Sequence, residues 1–253
     1  MDQQGFAREF AFLHSKGNPL VLYNIWDAGS ARTVADAGAK AIATGSWSVA
    51  AAQGFADGQA LPLDRLLRVA SEIVQAVDLP VSIDFEGGYA ISPEDLGDNI
   101  RALIGTGAVG LNFEDQVVGG DGLHDIDLQR RRIEAIRGAA EAEGVPLFIN
   151  ARCDLFLQSA VKDHAAQIDA AIRRGRAYGE AGASGYFVPG LIDPALIAQV
   201  CAAVDLPVNV LKSPTAPDNA ALSACGVARI SHGPFPYREM AARLGDAAGA
   251  ALR

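Results

Sequence analysis

The stretch Val77-Asp78-Leu79-Pro80-Val81-Ser82-Ile83-Asp84-Phe85-Glu86-Gly87-Gly88-Tyr89 carries, in order, a helix end, a proline, an apolar strand and a glycine turn. Proline cannot continue a helix and holds the residue before it extended, so a strand is expected from Val81. The opening Val-Asp-Leu-Pro-Val recurs as Val204-Asp205-Leu206-Pro207-Val208. Working outward, eight apolar runs appear: Leu20 to Trp26, Lys40 to Gly45, Val81 to Glu86, Val109 to Glu114, Leu147 to Arg152, Gly185 to Pro189, Val208 to Lys212 and Val227 to Ser231. Each is followed by helical periodicity, as in Leu66, Leu67, Val69, Ala70, Ile73 and Val74. Odd-numbered runs begin after Pro19, Pro80, Pro146 and Pro207, and even-numbered runs after Gly38, Gly107, Gly182 and Gly226. Glycine at those points suits a left-handed helix cap. Strand and helix alternating eight times predict an α/β protein, a (β/α)8 TIM barrel formed by residues 1–253 as a single domain.

Composition narrows the functional classes. The net charge of −9 and the absence of a basic cluster argue against nucleic acid, whose affinity rests on Lys and Arg. No apolar run reaches the 18 residues that suggest a membrane span, and the start lacks the pattern of a secretory signal. A cytoplasmic enzyme is the expectation. Cys153, Cys201 and Cys225 are widely spaced and read as buried thiols, and the four histidines form no zinc-ligand pattern. Arg130, Arg131, Arg132, Arg173 and Arg174 read as solvated helix faces. The Ala-rich helix after Pro234-Phe235-Pro236-Tyr237 is too apolar for full exposure.

Strand C-termini gather at one end of a parallel barrel, so the strand ends name a candidate site. They supply Asn24, Asp27, Thr44 to Ser48, Asp84, Glu86, Asn112, Glu114, Asp115, Asn150, Arg152, Asn209, Lys212, Ser231 and His232. Asp84 and Glu86, two residues apart, are expected on one face of their strand, as are Asn112 and Glu114 on theirs. At roughly 5 Å and an effective dielectric near 20, each pair of like charges costs about 3 kcal/mol. A raised pKa, an arginine or a divalent cation could offset this. With oxygen donors alone, Mg2+ fits best and Mn2+ second.

The segments Tyr23 to Arg32, Thr44 to Gly58, Ser82 to Tyr89, Asn112 to Gln116 and Asn150 to Asp154 resemble the isocitrate lyase and phosphoenolpyruvate mutase superfamily. The resemblance implies a barrel whose last helix is often exchanged between subunits of a homo-dimer or homo-tetramer. It also implies a Mg2+ held mostly through water by Asp57, Asp84, Glu86 and Glu114. Arg152 would grip the substrate carboxylate, and the backbone amides of Ser46 and Trp47 would hold a 2-oxo acid. Arg152, Glu114 and Asp57 form the implied catalytic set. Asn209 and His232, at the ends of later strands, are further expected substrate contacts. The chain departs from the lyases that cut isocitrate or methylisocitrate at Gln116 to His124, which lacks their Lys and Cys. Glu86 stands where Asp is commoner, and Thr44 where some lyases have Tyr.

The expected activity is a Mg2+-dependent carbon–carbon lyase or decarboxylase acting on a small 2-oxo or 2-hydroxy dicarboxylate, such as oxaloacetate, through an enolate. His124 or His232 could supply a proton. The alternatives are phosphorus–carbon chemistry of the mutase or phosphonopyruvate hydrolase kind, and a metabolite-binding barrel without turnover.

Overall fold

Eight parallel strands succeed one another around a barrel in the computed structural model, which describes residues 1–253. They are β1 (Leu20–Leu22), β2 (Ile42–Ala43), β3 (Val81–Asp84), β4 (Gly110–Glu114), β5 (Phe148–Arg152), β6 (Gly185–Phe187), β7 (Val208–Leu211) and β8 (Arg229–Ser231). Ladders join β2 through β8 in sequence order, and β8 pairs with β1. Between β1 and β2 the ring closes just past the strand ends, where Ile25 bridges Thr44. The expected (β/α)8 barrel is present as a single domain. Each apolar run contains one strand, shorter than the run.

The helices are α1 (Gln3–Phe12), α2 (Ala28–Asp36), α3 (Ser46–Ala52), α4 (Leu63–Ala76), α5 (Pro93–Gly105), α6 (Ile126–Ala142), α7 (His164–Glu180), α8 (Pro194–Ala203), α9 (Asn219–Ala224) and α10 (Phe235–Ala251). Their ends follow the sequence signals. Ser92 caps α5 and Asp193 caps α8, each accepting backbone N–H groups ahead of a proline in the first turn. Gly38, Gly107, Gly182 and Gly226 are all left-handed (φ 88–98°) just after α2, α5, α7 and α9.

Helix α1 seals the end of the barrel opposite the strand C-termini. Its Phe10 ring packs edge-on against Phe148 of β5 and occupies the space where a Cβ on Gly110 would come within 2.9 Å of it. His14, just beyond α1, stacks on Phe148 at 4.0 Å. Its Nδ1 donates to the Phe10 carbonyl, and burial lowers its pKa to about 3, so it is a neutral plug.

Three expectations are corrected. Arg132 and Arg174 are not solvated: Arg132 is 1 % exposed, donates to the carbonyls of Gly87 and Ala90, and lies 4.7 Å above the Phe113 ring. Arg174 pairs with buried Asp115 at 3.1 Å. Both arginines bridge helices to loops at the barrel mouth, a role that helical periodicity does not encode. Of the thiols, Cys153 and Cys201 are buried while Cys225 is partly exposed. Finally, α10 is exposed along nearly its whole length, with only Pro236 buried. No helix is long and apolar enough to cross a membrane.

Candidate active site

A cavity of about 300 Å3 opens at the C-terminal end of the strands. Ser46, Trp47, Asp57, Asp84 and Arg152 line it, with Asn24, Asn112, Ser231 and Arg238 among their neighbours. All of these but Arg238 were singled out from sequence, so eight such residues are brought together.

Asp84 is the centre. β3 ends at this residue, whose backbone N–H donates to Thr44 Oγ1 at 2.8 Å. Its Oδ2 accepts the Ser46 N–H at 3.0 Å. Its Oδ1 is buried without a protein partner. An orphaned carboxylate oxygen in a cleft is costly unless a ligand occupies it, and it suits a hard cation.

Glu86 reaches this region by a route different from strand alternation. It lies beyond β3 in the left-handed region (φ 49°), uncommon for a residue with a side chain. Backbone strain, rather than a two-residue repeat, turns its carboxyl inward, where Oε2 accepts the Gln59 N–H at 2.7 Å. Burial, followed by the charges of Asp57 and Asp84, raises its pKa to about 7. Asp57, on the exposed loop after α3, turns its carboxyl to the cavity. Burial and then Asp84 raise its pKa, with Ser46 opposing. Glu114 at the end of β4 is raised mainly by burial, against the pull of Arg152.

Arg152 is more encumbered than expected. Its Nη1 meets Glu114 at 2.8 Å, while Nε and Nη2 form a fork on Asp154 at 2.6 and 2.8 Å. Burial disfavours its charge, but Glu114 and Asp154 outweigh that and hold it cationic. Asp154 is fixed in turn, its N–H donating to Asp115, which also accepts from Tyr178 and Arg174. The guanidinium is thus held rigidly, with its edge toward the cavity.

The remaining expected residues fall elsewhere. Asn209 is buried below the cavity and bonded to Ser231. His232 faces away from the lining and packs on Tyr23 at 5.0 Å. His124 lines a separate hollow with Arg132 and Gln59. The Ser46 amide is already committed to Asp84, which leaves Trp47 in the first turn of α3, where helix geometry supplies no partner for an N–H.

Arg238 escaped the sequence reading. It stands in the first turn of α10 with its guanidinium 4.4 Å from the Trp47 ring centre, lines the cavity and forms no ion pair with a carboxylate. Arg152 is matched by two acids, so Arg238 is the uncommitted cation of the lining. Only its place shortly after the eighth strand could have marked it. Nowhere do three His, Cys, Asp or Glu side chains converge to chelating distance. A cation would be held directly through Asp84 and otherwise through water, as the chemistry of this oxygen-only set allows.

Comparison with known proteins finds relatives that match nearly the whole chain. The family model described as phosphoenolpyruvate phosphomutase matches residues 10–252. A crystal structure from Burkholderia cenocepacia J2315, of a protein provisionally called a phosphonomutase, is 48 % identical and superposes with a TM-score of 0.96, covering 98 % of this chain and 99 % of that one. The 2-methylisocitrate lyase of Escherichia coli K12 is 32 % identical over 208 residues, 80 % of this chain and 68 % of the other. An oxaloacetate decarboxylase of Pseudomonas savastanoi pv. phaseolicola is 27 % identical over 240 residues, 92 % and 80 % of the two chains. The chain therefore belongs to the phosphoenolpyruvate mutase family of the isocitrate lyase and phosphoenolpyruvate mutase superfamily, whose members are lyases and mutases.

Proposed function

We propose that the protein is a Mg2+-dependent decarboxylase or carbon–carbon lyase of a small 2-oxo dicarboxylate, with oxaloacetate the first substrate to test. The observation that carries this reading is polarity within one cavity. Asp57 and Asp84 with its orphaned Oδ1 line the cavity, Glu86 and Glu114 are buried near enough to feel the Asp84 charge, and Arg238 lines the same space with its charge uncommitted. A dianion bridged from a cation to Arg238 fits both.

Asp84 would hold Mg2+ directly, with Asp57, Glu86 and Glu114 acting through water. When bound, the ion supplies Lewis-acid stabilisation of oxyanion charge. The Trp47 amide faces the oxo-carboxylate end, Arg152 orients it, and Arg238 takes the distal carboxylate by a charge-assisted bond. No cysteine or histidine lines the cavity. Cleavage of a hydroxy acid needs a base to take the hydroxyl proton, whereas loss of carbon dioxide from a 3-carboxyl group needs none. Decarboxylation thus asks least of this lining, in which Asp57 is the available base for the alternative, and water would protonate the product enolate.

Incubation with Mg2+ should release pyruvate from oxaloacetate beyond its spontaneous decay and faster than from 2-methylisocitrate, and neither pyruvate nor phosphate from phosphonopyruvate. EDTA should stop the release from oxaloacetate, and Asp84→Ala should lower it at least 100-fold. Phosphate release from phosphonopyruvate would instead establish phosphorus–carbon chemistry, and tight binding without turnover a binding protein. Arg238→Ala should raise KM for the dicarboxylate about tenfold or more, through loss of a charged hydrogen bond worth roughly 1.5–3 kcal/mol; an unchanged KM would remove Arg238 from the substrate.

The raised pKa values give a second test. Glu86 binds its proton more tightly folded than unfolded, so its contribution to stability is full below about pH 4.5 and is lost as pH rises through about 7. Thermal denaturation of the metal-free protein should show Tm falling between pH 5.5 and 8.5. Mg2+ should raise Tm more at pH 8.5 than at 5.5; equal effects would contradict a cation among these acids.

The exposed length of α10 supports assembly into a homo-dimer or homo-tetramer that covers this helix, in line with the expected exchange. Light scattering at micromolar concentration should give at least twice the 26.3 kDa chain mass. A monomer would reject the exchange.

A further inference from the structure

Beneath the cavity lies a charge that the proposed reaction does not use. Arg229, inward on β8, is 1 % exposed and makes no salt bridge. It reaches across the barrel to β4, where Nη2 donates to Asn112 Oδ1 at 3.1 Å, and its Nε donates to Ser231 Oγ at 3.1 Å. Its Nη1 is buried without a partner. A buried guanidinium with no carboxylate beside it is costly, and an apolar side chain of similar length would cost less. Burial lowers its pKa to about 9, with Asp84 partly opposing.

What Arg229 touches gives it a purpose. Asn112 Oδ1 accepts from Arg229 on one side and from Asn150 Nδ2, at 2.8 Å, on the other. With two donors on its oxygen the amide cannot be reversed, and its Nδ2, which donates to no protein group, belongs to the part of Asn112 that lines the cavity. Ser231, also in the lining, accepts from Arg229 and from Asn209 Nδ2 at 3.2 Å. Both of its lone pairs are engaged, and its hydroxyl proton is donated to Asn209 Oδ1 at 3.3 Å. At Asn112 and Ser231 the floor therefore offers one uncommitted donor, Asn112 Nδ2, and no free acceptor, next to the unpartnered Asp84 Oδ1.

We propose that Arg229 is a positioning residue that locks the Asn112 amide with its Nδ2 N–H toward the cavity and ties Ser231 down beside it, making this part of the floor a fixed donor for an anionic oxygen, a carboxylate or enolate oxygen of the substrate. This rests on the oxo-acid reading of the site and adds the group that receives the charge. Donors fixed before the ligand arrives need no reorganisation when negative charge develops.

Two variants test it. Asn112→Asp keeps the shape and gives Arg229 a carboxylate partner, so the fold should hold or gain in Tm, but it presents an acceptor to the ligand. Arg229→Met removes the charge and frees the Asn112 amide. Calorimetric titration with oxalate in the presence of Mg2+ should show binding weakened at least 100-fold in Asn112→Asp and about tenfold in Arg229→Met, without a lower Tm in Asn112→Asp. A purely structural Arg229 predicts an Asn112→Asp protein that is at least as stable and binds oxalate normally. Oxalate affinity within threefold of wild type in Asn112→Asp would overturn the inference even if Arg229→Met does not fold. Wild-type protein that binds no oxalate would instead remove the oxo-acid reading, and this inference with it.

Discussion

Four carboxyl groups crowd one rim of this barrel, and much of the local structure answers their repulsion and their burial. Backbone N–H groups of Ser46 and Gln59 go to Asp84 and Glu86 rather than to neighbouring main chain. Glu86 occupies a strained conformation to reach the rim. Arg152 is drawn between Glu114 and Asp154. The raised pKa values of Glu86 and Asp57 are the remaining compensation: burial makes ionisation unfavourable, and each additional charge makes the next one harder.

The supports of this rim reach far from it in sequence. Arg132 on α6 holds the loop that follows Glu86 by the carbonyls of Gly87 and Ala90. Arg174 and Tyr178 on α7 hold Asp115, which holds the Asp154 backbone, which holds Arg152. The second is a buried polar chain in which each member is held by the next, the condition under which such networks specify a single geometry. The site is therefore rigid on the Arg152 side and least engaged at Asp84 Oδ1 and Arg238, where a ligand has the most to satisfy.

The barrel was legible because its punctuation is local. Pro80 and Pro207 stop a helix and start a strand within a few residues, and the glycines at 38, 107, 182 and 226 cap helices wherever they occur. Asp84 and Glu114 were legible for the same reason, since a strand end in a parallel barrel faces the mouth whatever surrounds it, whereas Glu86 arrives through a left-handed turn past its strand and Asp57, on a loop, was marked only by the family resemblance. Arg132, Arg174, Arg229 and Arg238 were less so. Each draws its role from a partner more than 40 residues away, at Gly87, Asp115, Asn112 and Trp47. A charged residue in a helical block looks wet until its tertiary neighbours are known. His232 shows the converse: a strand-end position alone does not decide on which side of the wall a side chain lies.

The seal that α1 makes at the far end of the barrel also shapes the electric field at the mouth. Phe10, Phe148 and neutral His14 form an apolar layer close to the buried Arg229 charge, with no ionised group among them. Solvent cannot screen that charge from below, so its field is directed toward the polar floor and the cavity. A helix with no residue in the lining thus acts as an electrical insulator, biasing the potential in which an anion settles.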